Sequence, residues 1–277
     1  KQMIYQDKCG IIFTRKDDEK EDIAMLENTI MEKITDEYKD DLLVRMAHHS
    51  TAIEGNTLTQ GDTTSILIYG YIPKGMNERE YYEVKNYKKA FSFLLEAEKE
   101  ISSTLMKQYH KLIMENLRDD NGQFKKTGNM VIGADFEPTK PYLVPSMIEN
   151  WCNNLKYRLE NTKTLEEKVE AILEQHIQFE KIHPFPDGNG RTGRLLIIHS
   201  CLKEGMPPII IPKEEKGKYI SLLQSEDIKE FTKWGLELQK KERTRIEAFY
   251  NKEKSTIKEP KNLWERKMKE GKEGNSR

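Results

Sequence analysis

The chain has 277 residues, enough for one large domain, and 34% of them are charged with a net charge of only −1. A dense but balanced surface of this kind argues against both a bulk basic field for nucleic acid and an acidic solvating tail. Cys9, Cys152 and Cys201 are few and far apart, which suits a reducing compartment and gives no zinc spacing, and no apolar run is long enough to span a bilayer. The expectation is a cytoplasmic protein without nucleic-acid or membrane partners, although a chain that begins at Lys1 leaves a removed targeting segment open.

The apolar periodicity is mainly helical. After a short extended piece whose strand-like run is Ile11-Ile12-Phe13, helical spacing links Ile23, Leu26, Ile30 and Ile34 from Asp22 to about Lys39. A second helix runs through Leu42, Leu43, Met46, Ala47, Ser50 and Ile53, with Gly55 as its stop. An apolar stripe over Thr57–Tyr71 precedes a turn at Ile72-Pro73-Lys74-Gly75, and residues 77–96 and 102–117 give two amphipathic helices. Residues 121–145, rich in Gly and Pro, read as a hairpin or extended loop around Met130-Val131-Ile132. Helices resume with Met147–Arg158. Thr164-Leu165-Glu166-Glu167 has the spacing of a capping box, and the helix it opens must end near Ile182, before Pro184. Another helix runs to about Lys203, and two more lie near 215–224 and 226–250. The Lys/Glu-rich segment beyond Lys252 reads as a poorly ordered tail.

The chemistry concentrates in His183-Pro184-Phe185-Pro186-Asp187-Gly188-Asn189-Gly190-Arg191-Thr192-Gly193-Arg194. Free backbone N–H groups and the dipole at the start of the following helix make an anion site. Gly188 and Gly190 would let a phosphate approach the backbone closely, in the alternating conformations of an anion nest. Arg191 and Arg194 offer planar forks to phosphate oxygens, each contact contributing about 1.5–3 kcal/mol. Asp187 is placed to hold a magnesium ion that bridges phosphates, and His183 to act as a base on an incoming hydroxyl. Gly188–Gly193 also satisfies G-x-G-x-x-G, but a capped amphipathic helix, not a strand of a βαβ unit, precedes it, and no Gly-Lys-Ser/Thr closes a P-loop.

His183 to Arg194 matches, position for position, the signature H-P-F-x-D-G-N-G-R-x-x-R, and on this motif the chain resembles the Fic family of protein adenylyltransferases. Weaker likenesses are Glu83-Val84-Lys85-Asn86, the Gly128–Gly133 stretch as a target-positioning flap, and Pro207-Pro208-Ile209-Ile210 with Lys218-Tyr219. Together they extend the resemblance over about residues 45–240. It implies an all-α, Fic-type helical bundle with a short β-hairpin flap and an N-terminal inhibitory helix. The expected organisation is an N-terminal extension (1–40), a Fic core (41–245) with the inhibitory helix at about 41–55 and the flap at about 121–145, and a charged C-terminal tail (246–277).

The implied activity is transfer of AMP from ATP, with Mg²⁺, to a Ser, Thr or Tyr hydroxyl of a target protein, the chain itself included. His183 would be the base, Phe185 the anchor of the loop, and Asp187 the metal ligand. Gly188, Asn189 and Gly190 would line the anion hole, Arg191 would support the phosphates, Arg194 would hold the γ-phosphate, and Met130, Val131 and Ile132 would position the target. The same site could instead transfer UMP, phosphocholine or a phosphoryl group, or bind nucleotide without catalysis, and homo-oligomerisation is left open.

Ser50-Thr51-Ala52-Ile53-Glu54-Gly55-Asn56 places Ser50 and Glu54 on one helical face. It resembles the family's inhibitory motif, [S/T]-x-x-x-E-[G/N], which implies a Glu54–Arg194 ion pair that keeps the arginine from ATP, and leaves reverse removal of AMP open. His110, His176, His199, Trp151 and Trp234 lie on apolar stripes and read as packing residues.

Overall fold

The computed structural model describes residues 5–6, 12–13, 30–129 and 137–258, and residues 30–129 with 137–258 form a helical bundle. Its helices are α1 (Asp36–Ile53), α2 (Gln60–Leu67), α3 (Glu78–Glu96), α4 (Ser103–Ile113), α5 (Val144–Asn161), α6 (Leu165–Ile182), α7 (Asn189–Lys203), α8 (Lys216–Ser225) and α9 (Ile228–Lys258). Short 3₁₀ turns at Pro141–Leu143 and Lys213–Glu215 lead into α5 and α8. Tyr5–Gln6 pairs antiparallel with Ile12–Phe13, so the strand-like run near the start finds a partner. Met130, Val131 and Ile132, assigned to the flap, lie outside the described residues.

Local chemistry sets the helix starts. Thr35, Asn77 and Ser102 each accept a backbone N–H of the first turn through their side chains. Thr59 with Asp62, and Thr164 with Glu167, close reciprocal capping boxes, the second as its spacing predicts.

Several boundaries differ from the sequence expectation. Thr35 accepts from Tyr38 N, so α1 starts at Asp36 and runs unbroken through positions 39–42, where one helix was expected to end and the next to begin. Tyr38 and Leu42 are both buried along this stretch, so core packing carries the helix across the polar run Lys39-Asp40-Asp41. α4 stops at Ile113, not 117: the Asn86 side-chain amide draws off the Ile113 and Glu115 carbonyls, and Asn116 turns left-handed with φ 60°. α9 continues to Lys258, past the expected limit of about 250, with Ile246 fully buried.

α7 is the central element: every residue from Asn189 to Leu202 is buried except Gly190. A helix apolar on all sides at mid-length belongs inside a bundle, not on its surface. α6 packs against α5, α7 and α9, and α1 lies against α2, α3, α7 and α9. α1 thus delivers Ser50 and Glu54 to the start of α7. Among the described residues no helix is long and apolar enough to cross a membrane.

Candidate active site

The loop between α6 and α7 is held from several sides. α6 ends because Pro184 follows, and His183 caps it in the left-handed region at φ 49°. Positive φ is uncommon outside glycine and persists where the surroundings over-determine the backbone. Phe185 is fully buried and stacks on His110 with ring centroids 3.8 Å apart, the anchoring expected of it. His110 accepts the Gly122 N–H on Nδ1 (2.8 Å) and therefore donates from Nε2 to the Asp187 carbonyl (2.9 Å). The Asn189 side chain accepts the Phe185 N–H and donates to the Phe185 carbonyl, each at 2.8 Å, while Asn129 donates to that same carbonyl at 2.9 Å. Lys125 N–H donates to the Pro184 carbonyl at 2.9 Å.

The first intrahelical bond of α7 runs from Thr192 N–H to the Gly188 carbonyl at 3.0 Å. The N–H groups of Asn189, Gly190 and Arg191 precede it and have no carbonyl within the helix, which makes this end a site for negative charge. The two glycines have different reasons. Gly188 sits at φ 77°, and a Cβ there would lie 2.6 Å from Met114 Sδ, so its role is conformational and steric. At Gly190 an added Cβ would strike the Glu54 carboxylate and come within 2.9 Å of Arg194 Nη1. The close approach that glycine permits there is made in this structure by a carboxylate. Asn189, expected to line the anion hole, has its side chain engaged with Phe185, so what it offers an anion is its backbone N–H.

The titratable groups diverge sharply. Burial, reinforced by the Lys125 charge, pushes the His183 imidazole down to about 4, against a hydrogen bond to the Glu180 carbonyl. That bond, Nδ1 to Glu180 O at 3.3 Å, puts the proton on Nδ1 and leaves Nε2 as the basic nitrogen. Burial works to raise the Asp187 carboxyl, but Arg191, the Gly188 N–H and Arg79 outweigh it and hold it below the usual carboxylate range. Asp187 Oδ1 accepts from Gly188 N at 2.6 Å and from Arg191 Nη2 at 3.3 Å.

Arg194 is 5% exposed and wrapped by α1. Its Nε donates to Ser50 Oγ (2.9 Å), and its Nη2 donates to the Ser50 carbonyl (2.9 Å) and to Glu54 Oε1 (2.6 Å). Burial would raise the Glu54 carboxyl, but the charge and hydrogen bond of Arg194 bring it below its ordinary value. Tyr87 adds a hydrogen bond to Ser50 Oγ at 2.6 Å, and the Arg194 guanidinium lies over the Tyr219 ring, 5.8 Å from its centroid.

Five of the residues expected at the site, His183, Asp187, Arg191, Arg194 and Glu54, therefore surround the start of α7. The sequence reading missed Arg79, Lys125, Tyr87 and Glu180, and gave Glu83 no role. Glu83 accepts from Arg79 Nε (3.1 Å), Arg191 Nη1 (3.3 Å) and Asn56 Nδ2 (3.0 Å). The i,i+4 spacing of Arg79 and Glu83 on a predicted helix was a usable signal. Tyr87 and Lys125 reach the site through tertiary contacts that leave none.

Among the described residues no cluster of three or more His, Cys, Asp or Glu could hold a metal ion. A divalent cation would have Asp187 as its one protein carboxylate and would complete its shell with phosphate and water oxygens, an arrangement magnesium commonly adopts.

Residues 100–201 match the Fic/DOC family. The chain is 32% identical over 184 residues to protein adenylyltransferase fic-1 of Caenorhabditis elegans, covering 64% of this chain and 35% of that protein. It is 31% identical over 205 residues to protein adenylyltransferase Fic of Drosophila erecta, covering 71% of this chain and 40% of that protein. The chain thus spans well under half the length of these relatives. A Fic domain containing signaling protein from Bacteroides thetaiotaomicron has the same fold, with a TM-score of 0.73 at 21% identity over 84% of this chain and 98% of the other.

Proposed function

The chain belongs to the Fic/DOC family, and on that basis we propose that it transfers the AMP part of ATP to a Ser, Thr or Tyr hydroxyl of a protein. The observation that carries this reading is the pairing of a neutral imidazole with an anion cradle. His183, with Nε2 as its basic nitrogen, opens the loop that leads into the three N–H groups at the start of α7. A site that only bound nucleotide would have no use for a base there.

In this mechanism His183 Nε2 accepts the proton of the target hydroxyl as its oxygen attacks the α-phosphorus. The bond to the bridging oxygen breaks, and pyrophosphate departs. The N–H groups of Asn189, Gly190 and Arg191 hold phosphate oxygens, and Arg194 takes the γ-phosphate. Asp187 would hold Mg²⁺, which neutralises charge on the phosphates and the leaving group. The protein's work is positioning and charge neutralisation.

In this reading the Glu54–Arg194 pair acts as a brake. Glu54 stands in the cradle and takes the arginine fork that the γ-phosphate would need. A phosphate and a carboxylate compete for one guanidinium and one helix end, so release of α1 is the step that permits a productive ATP pose.

The test is incubation of a protein mixture with Mg²⁺ and ATP labelled at either the α- or the γ-phosphate, using the Glu54→Gly chain and the Glu54→Gly/His183→Ala chain. Label entering protein from the α position alone, and lost with His183, supports the reading. Label from the γ position would show phosphoryl transfer, and no label from ATP or from any other labelled nucleotide would support a non-catalytic adaptor.

A further inference from the structure

The two oxygens of Asp187 have different kinds of partner. Oδ1 is held by the Gly188 N–H and by Arg191, whose side chain is only 2% exposed and part of the buried floor. Oδ2 is the oxygen left for an incoming cation, and its one direct partner among the described residues is Arg79 Nη2 at 3.2 Å. Arg79 stands in the first turn of α3 with its side chain 58% exposed. Its Nε is tied to Glu83 Oε1 at 3.1 Å, and Glu83 is itself pinned by Asn56 and Arg191. The arginine is therefore anchored at Nε while its outer nitrogen reaches over to Asp187.

We propose that Arg79 is the resident counter-ion of Asp187: it holds the outward carboxylate oxygen until a divalent cation takes it, and so sets how much of that cation the site needs. The inference rests on the reading of Asp187 as the metal carboxylate of a nucleotide site. Two effects of opposite sign follow. Without a divalent cation, Asp187 would repel incoming phosphates, and Arg79 offsets that repulsion. With one, Arg79 competes for Oδ2 and raises the concentration required. Arg191 does not do the same, because it is buried and binds Oδ1, not the outward Oδ2. Arg79 can, because its fork is solvated and an exposed pair costs little to part. It is a positioning residue that acts through Asp187.

The measurement is the affinity of a fluorescent non-hydrolysable ATP analogue for the full chain carrying Glu54→Gly, with and without Arg79→Gln, first in EDTA and then across a Mg²⁺ series. In EDTA the added substitution should weaken binding by about fivefold, the scale of one short charge pair near a surface. The Mg²⁺ concentration giving half its full effect should fall. Arg79→Lys, which keeps the charge, should recover most of the EDTA affinity, which a merely structural loss would not. Equal affinity in EDTA together with an unchanged Mg²⁺ midpoint would overturn the proposal. Asp187→Ala should abolish the Mg²⁺ response; an undiminished response there would remove Asp187 from the metal site and the inference with it. A Glu54→Gly chain that bound no nucleotide under any condition would instead defeat the proposed function itself.

Discussion

Glu180 lies in the last turn of α6 and His183 caps it, and burial drives them in opposite senses. The imidazole is held down to about 4 and is neutral at pH 7, the form a base requires. The kcat/KM of the released Glu54→Gly chain should therefore rise through about pH 4 and stay level above it. A midpoint near the ordinary histidine value of 6.5 in a pH–rate profile would show that His183 is not the group held there. Burial raises the Glu180 carboxyl to about 8 against the pull of Arg194, and its Oε1 has no hydrogen-bond partner. An added Cβ at Gly193 would lie 2.6 Å from that oxygen, so the third glycine of the loop makes room for a buried acid. An acid whose folded pKa is raised contributes most to stability below its unfolded value near 4.5, and that contribution is lost as pH rises through about 8. Glu180→Gln should thus gain stability relative to the parent between mildly acidic pH and about pH 9 in urea titrations. A stability difference that does not change with pH would place the Glu180 proton elsewhere.

At the scale of elements, α1 and α7 meet through Ser50, Glu54 and Arg194. Glu54→Gly removes the carboxylate from the cradle and should raise transfer strongly. Ser50→Ala removes only the hydroxyl that accepts from Arg194 and Tyr87, leaving Glu54 and the Ser50 carbonyl in place. Its effect on the transfer rate should be smaller and in the same direction. The Glu54 carboxyl lies below its ordinary value of 4.5, so the pair stays intact from about pH 8 to about pH 5, and mild acid should not release the brake.

Much of this meeting was legible in the sequence. Ser50 and Glu54 show the four-residue spacing of one helical face, and His183–Arg194 is a contiguous motif whose parts are adjacent by covalent geometry. Helix starts at Thr59 and Thr164 are written in local capping chemistry. Other features were not legible, because they depend on residues far apart in the chain. The run of α1 through Lys39-Asp40-Asp41 depends on packing of its buried face. The early end of α4 depends on Asn86, 27 positions before the Ile113 carbonyl it binds. The reason for Gly188 lies in Met114 as much as in the loop itself.

At the scale of the whole molecule, α1 is fastened at its other end to α9. Arg45 donates to both oxygens of Glu242, at 2.9 and 2.5 Å, and Tyr38 OH donates to Glu242 Oε1 at 2.6 Å. Asp41 accepts from Arg45 and from Arg245, each at 2.7 Å. The side chains of Arg45 and Glu242 are only 11% and 8% exposed. Glu242→Ala would leave the Arg45 guanidinium with Asp41 alone and the buried Tyr38 hydroxyl without its acceptor, and should cost about 3 kcal/mol in urea unfolding, whereas a surface pair such as Lys252–Glu37 should contribute under about 1 kcal/mol. A small loss at Glu242 would mean that the network is solvated in practice.

The proposed activity requires a base, an anion cradle and a removable carboxylate to act as one site. The most direct measurement is the intact mass of protein acceptors, the chain itself included, after incubation with Mg²⁺, ATP and the Glu54→Gly chain. The account predicts an adduct with the mass of AMP that is absent when His183→Ala is added and much reduced when Glu54 is restored. An adduct with the mass of a phosphate, or an AMP adduct that forms equally well without His183, would contradict it.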